Sequence, residues 1–165
     1  MLYKGQKVDP TQVEYIVIPR KPENLVFTAQ SVIDYTEFEQ LCPEPDVPVM
    51  QFAGGESREN PEHPEYIKKQ GIWATRRTQW MILQSLKASK DLVWEEVKYD
   101  DPETWHLYEK ELQESGLNPM EINRIVLGVI SACGMNQERI DAATQAFLVT
   151  REQVSNDAPS QKAAP

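Results

Sequence analysis

The chain has 165 residues, enough for one ordinary domain or a domain with a smaller appendage. Lys and Arg number 17 against 26 Asp and Glu, a formal charge of -9, which disfavours phosphate backbones and excludes nucleic acid as a default partner. No uninterrupted apolar run is long enough to cross a bilayer, and a hydrophobic fraction of 40% still allows a core.

Met1-Leu2-Tyr3-Lys4-Gly5-Gln6-Lys7 lacks an apolar signal core, so a cytoplasmic protein is expected. Cys42 and Cys133, far apart, do not make a disulfide framework and read as buried reduced thiols. Gln12 to Ile18 and Leu25 to Ala29 are rich in β-branched and aromatic residues, with Pro19 to Asn24 between them, which predicts an antiparallel hairpin. A bare hairpin is marginal in water and needs a second layer. Asp34 to Leu41 reads as a short helix capped by Asp34 and halted by Pro43, completing a first unit over residues 1–42.

Residues 43–63 change character, with Pro43, Pro45, Pro48, Pro61, Gly54 and Gly55 among several acids, so neither a helix nor a central strand is expected. The stretch reads as a linker or a surface arm. Val47, Val49, Met50 and Phe52 favour the arm, since a solvated linker seldom carries so many apolar side chains so close together.

A helical domain is expected over 64–151. Pro64 opens a long helix to about Leu86, with Tyr66, Trp73 and Trp80 at heptad spacing and Ile72, Met81, Leu83 and Leu86 widening the stripe. Leu92 to Val97 suggests a short extended piece. Asp101-Pro102 then opens a helix closed by Gly116, and Asn118-Pro119 opens another closed by Gly134. Asn136 opens the last. Ile122, Ile125, Val126, Val129, Ile130 and Cys133 form the best amphipathic stripe in the chain, and Ile140, Ala143, Thr144, Phe147 and Leu148 repeat the idea. Four striped helices joined by short turns are expected to bundle. Residues 152–165, without apolar period, are expected to be disordered. The predicted class is α+β, mostly α: a hairpin with a short helix, a Pro-rich linker, then a four-helix bundle.

Candidate chemistry is sparse. Asp100, Asp101 and Glu103 form an acidic cluster, but Asp101 has a structural task as a cap and acids favour a helix's first turn. His63 and His106 have no partner at a recognised metal-ligand spacing. No phosphate loop, nucleophile elbow or carboxylate pair is visible, so no catalytic, metal or cofactor residue is assigned and a non-enzyme is expected. Arg76-Arg77, beside Trp73 and Trp80, is the most basic spot; it reads first as guanidinium groups laid over indoles. The helix pair over 103–133 is a weak match to a DNA reader, because its second helix is apolar and offers only Arg124.

Phe38-Glu39-Gln40-Leu41-Cys42-Pro43-Glu44-Pro45, a helix ending Leu83-Gln84-Ser85-Leu86 before Trp94-Glu95-Glu96-Val97, then Asp101-Pro102-Glu103-Thr104-Trp105, Glu111 to Leu117, Glu121 to Ile125 and Ala146-Phe147-Leu148 together show a pattern. It resembles the small tail assembly chaperone-like proteins of long-tailed bacteriophages over about residues 12–150. The resemblance implies a cytoplasmic protein of the infected bacterium that keeps the tape measure protein soluble and recruits major tail protein around it. It offers no catalytic residue. The residues expected to meet a partner are Trp73, Arg77 and Trp80 on the long helix, with Val49, Met50 and Phe52 of the arm. A structural tail or neck component is the alternative, and a regulatory protein-binding module is a weaker one. Oligomeric state stays open, a homo-oligomer included.

Overall fold

Strict alternation organises the N-terminal elements of this computed structural model, which describes residues 4–6, 11–134, 140–141 and 144–145. β1 (Val13–Ile18) and β2 (Leu25–Gln30) pair antiparallel, with Ile16 opposite Phe27 and Ile18 opposite Leu25. Ile16, Ile18, Phe27 and Ala29 are buried on one face, whereas Val13, Tyr15, Val17 and Val26 stay exposed on the other. The hairpin is thus a half-clothed layer, and helices supply the other half.

α1 (Thr36–Leu41) follows, one turn and a half that buries Phe38. Asp34 does not cap it as expected. Its Oδ1 accepts instead from the Thr36 N–H at 2.9 Å and the Thr36 hydroxyl at 2.6 Å, a turn just ahead of the helix. The proline stretch holds a second, isolated hairpin, β3 (Val49–Gln51) with β4 (Ser57–Glu59). α2 (Pro64–Leu86) then runs for 23 residues, with Pro64 in its first turn. Only its C-terminal part is a core element: its buried residues begin at Trp80.

Two expectations for the following segment are corrected. Leu92 to Val97 forms no strand, and the helix expected from Asp101 is a turn, a 3₁₀ turn over Trp105–Leu107, and then α3 (Tyr108–Glu114). The physical reason for the missing strand is Glu111. Its carboxylate, on the buried face of α3, accepts from the backbone N–H groups of Glu95 (2.7 Å), Glu96 (2.8 Å) and Val97 (2.7 Å), so this segment spends its donors on one side chain instead of a neighbouring strand. α4 (Pro119–Ala132) begins with a full capping box: Asn118 Oδ1 accepts from Met120 and Glu121 N–H, and Glu121 accepts from the Asn118 N–H.

α4 lies against both strands, α2 against β2 and α4, and α3 against α4. Gly128 makes the closest approach: a Cβ there would lie 2.3 Å from Ile16 Cγ1. Phe38, Trp80, Leu83, Leu86, Trp105, Ile125 and Val129 join the inner hairpin residues in one core. That core therefore draws on elements both sides of residues 43–63. Residues Met1–Gly134 form one compact unit and Met135–Pro165 a second. In the second, residues 140–141 and 144–145 are helical, with the Thr144 hydroxyl donating to the Ile140 carbonyl at 2.8 Å. The rest of the expected fourth helix, and the tail 152–165, lie outside the described residues. The described part is α+β with an N-terminal hairpin, and none of its helices is long and apolar enough to cross a membrane.

Candidate partner-binding surface

Val49, Met50 and Phe52 occupy the small hairpin, where every strand residue is exposed; the three are 58, 45 and 47% exposed. Its turn closes through Phe52 N–H to the Glu56 carbonyl at 2.8 Å and Gly55 N–H to the Phe52 carbonyl at 3.1 Å. Gly54 and Gly55 take φ of +129° and +82°, which side chains resist. At the open end Asn60 N–H donates to the Pro48 carbonyl at 2.7 Å, so the arm leaves and rejoins the chain at one point. Arg58 lies over the Phe52 ring at 5.8 Å, and the Asn60 amide reaches Met50 Sδ at 3.1 Å. Apolar groups displayed on a hairpin with no core beneath them contribute little to folding. They are available for burial against another protein.

The aromatic shelf is built differently. Trp73 is half-buried, its Nε1–H donating to the Cys42 carbonyl at 3.0 Å, which ties α2 to the end of α1. Phe38 lies 5.6 Å from Trp73, 5.8 Å from Trp80 and 6.0 Å from Trp105, ring centre to ring centre. Arg77 sits over Tyr35 at 4.6 Å and Trp73 at 5.9 Å, the guanidinium-on-aromatic arrangement expected from sequence, with Tyr35 the nearer platform. Burial pushes the Tyr35 phenol up, partly offset by Arg77. Trp80 is 2% exposed and belongs to the core. A partner therefore finds Trp73 and Arg77 at the surface, and not the Trp80 indole. The six residues fall in three environments: exposed arm, half-buried shelf and core.

His63 acts as a cap, its Nδ1 accepting from the Glu65 N–H at 3.3 Å, and Asp101 accepts from the Glu103 N–H at 3.1 Å. Among the described residues no three His, Cys, Asp or Glu side chains converge as metal ligands. Arg76, read with Arg77 as one basic spot, points elsewhere and pairs with Glu103. Neither Glu111 nor the pairing of Arg20 with Glu121 carries a signal in sequence. Arg20 is bidentate on Glu121, at 2.5 and 2.7 Å, across 101 positions of chain.

No protein-family model, curated protein or solved structure matches this chain.

Proposed function

We propose that this chain is a non-enzymatic assembly chaperone of a long-tailed bacteriophage, acting in the host cytoplasm. In this reading it covers apolar helices of the tape measure protein and helps to bring major tail protein to it. The observation that carries the reading is the arm: Val49, Met50 and Phe52 exposed together on a hairpin that no core supports. A holdase needs apolar contacts on a part of itself that moves to the client without unfolding, while a net charge of -9 keeps the loaded complex soluble. Trp73 and Arg77 supply a second, more rigid contact.

Co-expression with the neighbouring long, helix-rich tail gene tests this directly. The expected result is a soluble client that co-purifies, and a client left insoluble when Met50 and Phe52 are both changed to Asp. An insoluble client beside the unaltered chain, together with abundant chain in purified virions, supports the second reading instead: a permanent tail or neck subunit. What favours that alternative is the outer face of the first hairpin, where Val13, Tyr15, Val17 and Val26 are exposed and open to a neighbouring subunit.

A further inference from the structure

α2 carries a second stripe, on a different face from Trp73 and Arg77. Lys68, Gly71, Ile72, Thr75, Arg76 and Gln79 follow the i, i+3, i+4, i+7, i+8, i+11 series and form one wall of a groove of about 470 Å³. Pro102, Glu103 and His106 form the other wall. Ile72 is 47% exposed in it, an apolar side chain that the fold leaves uncovered.

Gly71 is the telling residue. Glycine inside a helix is destabilising relative to alanine, so one at this position calls for a reason. Gly128 has one, since a side chain there would strike Ile16. At Gly71 a Cβ would meet nothing within 4 Å. Nothing within the chain requires the missing side chain, and the space it leaves opens onto the groove.

Charge identifies the occupant. In a chain of net charge -9 this groove is an exception: Lys68 and Arg76 face a single acid, Glu103, which Arg76 already engages. Lys68 makes no ion pair among the described residues. Backbone chemistry identifies the form. A strand laid on a helical wall would leave its N–H and C=O groups without partners, whereas a helix satisfies its own and packs closely where a side chain is absent. We propose that this groove docks an acidic amphipathic helix of a partner protein, its backbone seated over Gly71, its apolar stripe on Ile72 and a carboxylate on Lys68.

The test uses the full chain and two fluorescent synthetic helices of roughly 20 residues, long enough to hold helical structure. Both carry one Ala/Leu stripe, flanked by Glu in one and by Lys in the other. The Glu probe is expected to bind saturably, about tenfold more weakly to Gly71→Leu and severalfold more weakly to Lys68→Glu, whereas the Lys probe binds the unaltered chain weakly and gains affinity for Lys68→Glu. Gly71→Leu points into open space and leaves the circular dichroism spectrum unchanged. Gly71→Ala is expected to raise the Tm of the free chain. Failure of the Glu probe to bind, equal binding to Gly71→Leu, or a lower Tm for Gly71→Ala overturns the proposal. None of these outcomes bears on the arm, so tail-client binding stands or falls separately.

Discussion

Glu111 shows how much one side chain decides. It is 9% exposed, and three backbone N–H groups, that of Val97 buried and those of Glu95 and Glu96 part-buried, converge on its two oxygens. Glu111→Gln keeps the shape but replaces one acceptor oxygen with an amide that donates toward donors. The expected loss is about 3 kcal/mol, read as a lower urea midpoint with an unchanged slope. Gly128→Ala tests the opposite fault, an added atom. With Ile16 Cγ1 2.3 Å away, the Ile16 side chain, the helix or the strand must shift, and a destabilisation of about 1–3 kcal/mol is expected in the same titration. Neither residue was legible in the sequence. A Glu among the acids of α3 looks like a solvated charge, and a Gly inside a helix looks like a weak spot until its neighbour is known.

Elements were legible where their signals are local. Asn118-Pro119-Met120-Glu121 announced α4, and its capping box is present in full. The β1–β2 register follows from alternation, because a slip by one residue would turn Ile16 and Ile18 outward. Across the proline stretch a local reading fails. Prolines exclude a central strand but not a short exposed hairpin, whose residues need no apolar alternation because neither face is buried. The latch on α4 was invisible for another reason: Arg20 lies 101 positions from Glu121. That latch has a titratable signature. The Arg20 hydrogen bonds, then the Asn118 N–H, hold the Glu121 carboxyl down to about 2, against an ordinary value of 4.5. A depressed folded value means that the ionised form favours folding, so this contribution is complete above about pH 4.5 and disappears as pH falls through about 2. Glu121→Gln is expected to lower stability at neutral pH and to flatten the pH profile between those limits. Denaturation across that acid range, on both proteins, measures it.

At the scale of the whole molecule, the core and the candidate surface are carried by different parts of one chain. The inner hairpin face, Phe38, the C-terminal part of α2 and the apolar side of α4 share a single core, whereas Val49 to Glu59 contributes no buried residue. Stability and the proposed client binding should therefore be separable. The chain supplies a natural place to cut, since Pro48 and Asn60 are already hydrogen-bonded across the base of the arm at 2.7 Å. Replacing Val49 to Glu59 with a short Gly-Asn link closes a smaller loop without disturbing either neighbour. Shortening a loop alters the entropy of closure only weakly, by about 0.6 kcal/mol for each halving, so the Tm should change by no more than a few degrees. If the arm holds the client, the same deletion abolishes co-purification while the thermal transition stays single and cooperative. A large fall in Tm would instead make the arm part of the folding unit, and its apolar side chains would need a partner within the chain.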